Sequence, residues 1–296
     1  MKEVFEFRID QEFAPLLFKP HEGQDLGTTV KVVRLTRNDP RFGQIPIVSK
    51  EVREKYGKPF FFSWRVKRSY SQREMESASL FRLIINKVLE PCGEESGTLY
   101  DSASACPVCG ANERQIGLLK LNRVALQKND IARTIGGEVV VSERFFAASR
   151  SRGLKGARFE QIEARTGGTT YYQLLSSTEL QLTNHTIAGV DPFDFSEVAE
   201  AREITVSGRY KFRVGKEVYK CSLGHTVGLN LLSEAHVADS PLIKRDDYFH
   251  SDQQVGVRRG VLRPEPLYFC SSAFREMVID ERLRGFDYEV AHVETL

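Results

Sequence analysis

The sequence predicts an α+β protein of mainly antiparallel strands and short helices, with two related halves joined at a zinc-knuckle site. Short runs of period-two alternation between turn-rich stretches predict the strands. A gapless internal match between residues 142–160 and 271–289 predicts the two halves. A Cys-x-x-Cys-Gly motif with a distant Cys and His predicts the metal site.

In chain order, Glu3–Ile9 and Thr29–Leu35 alternate and read as half-buried strands, and Phe60–Val66 reads as another strand. Ser71 and Glu74 have capping-box spacing and start a short helix carrying Met75 and Ala78. Leu80–Leu89 returns to strand-like alternation, and the Gly-, Ser-, Glu- and Pro-containing stretch 90–105 reads as a loop leading to Cys106.

In the internal match, Ser142-Glu143-Arg144-Phe145-Phe146 lies over Ser271-Ser272-Ala273-Phe274-Arg275, and Leu154–Glu160 lies over Leu283–Glu289. Each copy reads as strand, helix N-capped by the serine, glycine turn and strand. Phe145 and Phe274 then belong to the core, and Gly156 and Gly285 supply a positive φ after each helix. The predicted division is 1–165, with the knuckle and the first copy, and 166–296, with the Cys221 to His225 motif and the second.

Cys106-Pro107-Val108-Cys109-Gly110 places two thiols on one tight turn, where they can share an ion. A structural zinc takes four ligands in a tetrahedron, and Cys221-Ser222-Leu223-Gly224-His225 offers the best complement. The implied site is Cys106, Cys109, Cys221 and His225. A redox dithiol is the rival, but no βαβ context surrounds the motif. Cys92, in a turn beside Gly93, is a possible substitute ligand, whereas Cys270 in Leu267–Cys270 reads as core.

Of 296 residues, 41% are hydrophobic and 28% charged, ample for a packed core. Five cysteines at metal-like spacing, no secretory pattern and no apolar run of membrane-spanning length fit a cytoplasmic protein better than a disulfide framework. Residues 1–165 hold 28 Lys and Arg against 21 Asp and Glu, while 166–296 hold 14 against 19. Residues 31–73 concentrate 12 basic side chains against 3 acidic around Trp64 and Tyr70, the basis of an alternative nucleic-acid-binding, zinc-ribbon reading. The whole-chain pI near 8.2 is mild for that role.

Cys106–Gly110, the upstream stretch Gly93-Glu94-Glu95-Ser96-Gly97-Thr98-Leu99-Tyr100-Asp101 and the Cys221–His225 segment together resemble the double-CXXCG family of myxobacterial paralogues. Its members are immunity proteins of swarm-inhibition toxin systems. The resemblance covers most of the chain, and the Ser271–Glu289 unit also resembles the end of other polymorphic-toxin immunity families. Gly224-His225 stands where the family has Cys-Gly, so either His225 replaces the lost thiol or the second half-site is degenerate.

The resemblance implies a non-enzymatic immunity protein that binds a cognate protein toxin stoichiometrically, with zinc holding the scaffold. No P-loop, GxSxG, HExxH or dinucleotide fingerprint is present. A metal-dependent enzyme remains the other alternative, since His236 and His250 lie near acidic residues; His21, His185 and His292 show no local constellation. Val190–Glu197 reads as a loop, and Asp191, Phe193, Asp194 and Phe195 are the candidate partner-binding residues. The competing reading has its two phenylalanines anchoring the loop to the core.

Overall fold

Strands paired mostly antiparallel, with short helices between them, make up a computed structural model of the chain, an α+β architecture. The structure describes residues 1–164, 170–189, 193, 202–206, 210–214, 220–228 and 230–295. Contacts group the chain into two units, Met1–Met75 with Asp191–Phe195, and Glu76–Val190 with Ser196–Leu296. The sequence-based division at 165/166 cuts the second unit, at a point adjoining residues outside those described. No helix among the described residues is long and apolar enough to cross a membrane.

The first unit holds β1 (Lys2–Asp10), β2 (Gln24–Leu26), β3 (Val30–Leu35), α1 (Ile45–Tyr56) and β4 (Phe61–Ser69). Its strands form one antiparallel sheet in the order β2-β3-β1-β4. Every second residue of β1 points into the core, so Phe5, Phe7 and Ile9 are fully buried. Helix α1 ends at Gly57, whose left-handed φ of 66° lets its N–H donate to the Arg53 carbonyl. The predicted capping box opens α2 (Gln72–Ser77): the Ser71 N–H donates to Glu74 Oε2 at 2.7 Å, and the Glu74 N–H donates back to Ser71 Oγ at 3.3 Å.

Strand register explains the basic run at 31–73. Glu6, buried on β1, lies directly opposite Arg34 of β3 and Arg65 of β4, and pairs with them at 2.8 and 2.6 Å. Burial pushes the Glu6 carboxyl up, but hydrogen bonds and charge from the two guanidinium groups outweigh this and hold it below the ordinary range. Glu3 takes Arg37 and Arg68, and Glu22 takes Arg41. Carboxylates from the first thirty residues thus lace the basic stretch into cross-strand pairs, which lowers its net field.

In the second unit, β5 is Leu80–Ile85, β6 Val88–Leu89, β7 Ile131–Thr134, β8 Val139–Ser142, α3 Glu143–Ser151, β9 Ala157–Gln161, β10 Tyr171–Ser176 and β11 Glu179–Leu180. There follow β12 (Ala235–Ala238), β13 (Tyr248–Val255), β14 (Glu265–Ser271), α4 (Ser272–Asp280) and β15 (Phe286–Glu294). One sheet runs β9-β10-β8-β7-β6 and a second runs β11-β13-β14-β5-β15-β12. Cys270, on the central strand β14, is wholly buried, as its apolar setting predicts.

Both matched segments are strand, helix and strand, and both helices are capped in the same way. Ser142 Oγ accepts from the Phe145 N–H at 3.1 Å, and Ser271 Oγ accepts from the Phe274 N–H at 3.2 Å. Each serine hydroxyl also donates to an aspartate ahead of its hairpin, Asp130 or Asp247. Those aspartates reach across reciprocally: the N–H and carbonyl of Lys155 bond Asp247, while those of Arg284 bond Asp130, all at 2.8–2.9 Å. Phe145 and Phe274 meet at the centre, with ring centroids 5.7 Å apart.

Glycine is required at the two crossover points for more than its φ. A Cβ on Gly156, at φ +82°, would stand 2.4 Å from the Tyr248 carbonyl oxygen, and one on Gly285, at φ +101°, 2.8 Å from that of Ile131. Gly153, at φ +64° with nothing within 4 Å, provides the comparison. Left-handed backbone costs an L-residue about 1–2 kcal/mol and overpacking about 1–3 more. Gly156→Ala and Gly285→Ala are therefore expected to lose about 2–5 kcal/mol each in urea unfolding, against about 1–2 for Gly153→Ala. Equal losses at all three positions would show that the close approach carries no cost.

Candidate metal centre

The stretch before Cys106 is more ordered than a loop. Leu99–Asp101 pairs antiparallel with Arg114–Ile116, so a two-stranded ribbon brackets the knuckle. Asp101 then caps a single 3-10 turn by accepting from the Ala103 N–H at 3.0 Å. Within the knuckle the Cys106 N–H donates to the Ala111 carbonyl at 2.7 Å, and the Gly110 N–H donates to the Cys106 carbonyl at 2.8 Å. Gly110 has φ +78°, and a Cβ there would stand 2.6 Å from Cβ of Arg258. The Arg258 N–H in turn donates to the Cys109 carbonyl at 2.8 Å, pinning the knuckle to the 256–264 loop.

The downstream turn is closed by similar bonds. The Cys221 N–H donates to the His225 carbonyl and the Gly224 N–H to the Cys221 carbonyl, both at 2.9 Å, with Gly224 at φ +86°. The two turns bring Cys106, Cys109, Cys221 and His225 together, with one donor atom from each lying within 4.8 Å of all the others. Cys221 Sγ and His225 Nδ1 are 3.6 Å apart. Around an ion with sulfur at about 2.3 Å and nitrogen at about 2.1 Å, tetrahedral geometry puts those two atoms about 3.6 Å apart.

The three thiols are buried and His225 is half-buried, with Ala111, Val227 and Val257 packed around the sulfurs. Burial pushes the Cys106 thiol up, but N–H groups of Cys109 and Val108 directed at its sulfur, together with the Cys109 and Cys221 thiols, outweigh this and hold it below the ordinary thiol range. Burial and the neighbouring sulfurs push Cys109 the other way. Such crowded thiols ionise together only when a cation joins them, which makes this donor set suitable for a divalent ion. Nε2 of His225 lies 3.2 Å from the Asn112 amide; with Nδ1 given to an ion, that amide turned oxygen-first accepts the Nε2 proton.

A partly buried charge network braces the centre, and its Glu113, Glu138, Arg258 and Arg263 carry no local sequence signal. The Arg263 guanidinium stacks on Tyr100 at 3.7 Å from the ring centroid and pairs with Glu113 and Glu94. Arg258 pairs with the same two carboxylates. The Tyr100 hydroxyl donates to Glu138; burial and that carboxylate push the phenol far up, so it stays a donor. Gly93 is held tightly here, since a Cβ would meet Glu138 Oε1 and the Tyr100 hydroxyl at 2.7 Å. Cys92 is buried near Glu138 and Gly136, and is not part of the four-residue cluster.

Of the predicted partner-binding residues, Phe193 stacks on Phe7 at 5.8 Å between ring centroids and tilts against Phe42 at 5.0 Å, within the first unit. Asp191, Asp194 and Phe195 lie outside the described residues.

Fold and site together define an α+β protein with a buried Cys3His cluster able to hold a metal ion. No family model matches the chain, and neither a curated protein nor a solved structure matches it.

Proposed function

We propose that this chain is an immunity protein that neutralises a cognate bacterial protein toxin by stoichiometric binding, on a scaffold cross-linked by structural zinc. The observation that carries the scaffold reading is the completeness of the donor set. Four protein ligands, three of them buried thiols, leave an ion no open position for a substrate, which favours a structural over a catalytic role. The Cys3His composition and the 3.6 Å sulfur-to-nitrogen spacing favour zinc. The ion would tie the ribbon at 99–116 to the 220–226 turn.

The toxin-binding part rests on the resemblance of the CXXCG knuckle and its flanks to the double-CXXCG immunity family. We read the two identically capped strand–helix–strand segments as copies of one duplicated unit, making two related halves. Five free cysteines suit a reducing cytoplasm, where such an inhibitor would meet an incoming toxin. In the 190–197 segment we assign the toxin contact to Asp191, Asp194 and Phe195, and an anchoring role to Phe193, which packs on Phe7 and Phe42. The carboxylates would speed association with a basic toxin surface, and Phe195 would slow dissociation.

Co-expression with the products of the genes flanking this one, each tested for toxicity, tests the function. Growth rescue and a one-to-one complex in solution are expected, with rescue lost on combined Asp191→Asn, Asp194→Asn and Phe195→Ala substitution at unchanged thermal stability. Rescue that survives those changes would move the interface elsewhere. Neither rescue nor a complex with any neighbouring gene product would overturn the immunity reading.

A further inference from the structure

Three histidines with no common sequence motif converge at one edge of the six-stranded sheet. His236 lies on β12 and Glu294 on β15, strands paired in parallel with His236 opposite His292 and Ala238 opposite Glu294. His185 arrives from the turn after Leu182, a residue bridged to Val237. Nδ1 of His185 and Nδ1 of His236 each lie 2.8 Å from the same oxygen of Glu294. One donor atom from each of the three residues lies within 4.8 Å of the other two.

We infer that His185, His236 and Glu294 form a second metal site, open to solvent and selective for a divalent first-row transition ion. Two imidazoles and one carboxylate are a donor set that such ions accept, and one that hard cations such as magnesium and calcium do not favour. Ligand atoms about 2.1 Å from an ion in adjacent octahedral positions lie roughly 3.0 Å apart. The two nitrogen-to-oxygen separations of 2.8 Å require shifts of only a few tenths of an ångström to admit an ion.

The backbone beneath each ligand is already fixed. The Thr183 N–H donates to the His236 carbonyl at 3.0 Å, the Thr186 hydroxyl donates to that carbonyl at 2.7 Å, and the His236 N–H donates to the Thr186 hydroxyl oxygen at 2.7 Å. The Asp239 N–H holds the Glu294 carbonyl at 2.7 Å. His292 stacks on His236 with ring centroids 4.6 Å apart and is itself held by Glu234 at 2.9 Å, so it is a positioning residue for the His236 ring. His185 is 73% exposed at its side chain, so the ion keeps positions facing water, unlike the buried Cys3His centre.

The test uses the full chain loaded with one equivalent of zinc and then titrated with Ni2+ alone in a calorimeter, with Co2+ spectra in parallel. A second equivalent should bind, and its cobalt form should lack the sulfur-to-metal charge-transfer band of a thiolate site. His185→Ala leaves the core untouched, because the side chain is exposed, and should weaken that equivalent by at least about 100-fold, the upper range for loss of a mere supporting residue. His292→Ala should weaken it about 10-fold. Glu294→Gln should abolish it with the first zinc retained. Absence of a second equivalent in the wild-type chain, or its persistence in both His185→Ala and Glu294→Gln, would overturn the assignment.

Discussion

Protein purified without chelators is expected to carry one zinc per chain at the Cys3His centre, and stripping that ion should cost more stability than any single substitution outside the centre. Structural zinc contributes on the order of 10 kcal/mol of apparent binding energy in small domains, because the ligands are assembled only in the folded state. Whole domains are stable by only about 5–15 kcal/mol, so losing the ion removes much or all of that margin. The effect is large here because the ion would join segments far apart in the chain, the 106–109 knuckle and the 221–225 turn. Elemental analysis and thermal melts with and without a strong zinc chelator measure it, with Cys221→Ser as the genetic equivalent. A melt unchanged by complete zinc removal would show that the four residues are merely neighbours.

Arg263→Ala should destabilise the protein by about 3–5 kcal/mol, the range for removing one partner from a buried ion pair. Its side chain is 6% exposed, and the carboxylates it serves, Glu113 and Glu138, are 3% and 6% exposed. With the guanidinium gone, Glu113 keeps only Arg258 among the described residues, while the Tyr100 ring loses its stacked cation. Arg263→Lys should recover only part of the loss, since an ammonium cannot present a planar fork to two carboxylates and stack on the ring at once. Urea unfolding of both variants, with a double-mutant cycle against Glu113→Gln, reads the coupling. Independent, additive losses would mean that the network is a set of separate surface pairs.

Much of the local architecture was legible in the chain because its causes are local. Alternation in Glu3–Ile9 placed Phe5, Phe7 and Ile9 in the core, and the Ser71–Glu74 spacing placed a helix start. Ser142 and Ser271 cap their helices as the internal match predicts, since a cap depends on a residue and the two or three after it. The Cys106–Gly110 and Cys221–His225 turns likewise announced four donors, which fold into one cluster.

What the chain did not disclose depends on residues distant in sequence. The 31–73 run looks basic when counted along the chain, but strand register sets Glu6 between Arg34 and Arg65. Arg258, Arg263, Glu113 and Glu138 have no spacing that marks them, and neither do His185 and Glu294, because ion pairs and ligand sets are selected by distance in space. The sequence alone therefore determined the first strands, the serine-capped helix starts and the four-residue donor set, all written in short-range stereochemistry. Tertiary structure alone decided which charges neutralise one another, why Gly156 and Gly285 must lack a Cβ, and where two histidines meet a carboxylate, because strand pairing and core packing bring those atoms within reach only after the chain has closed on itself.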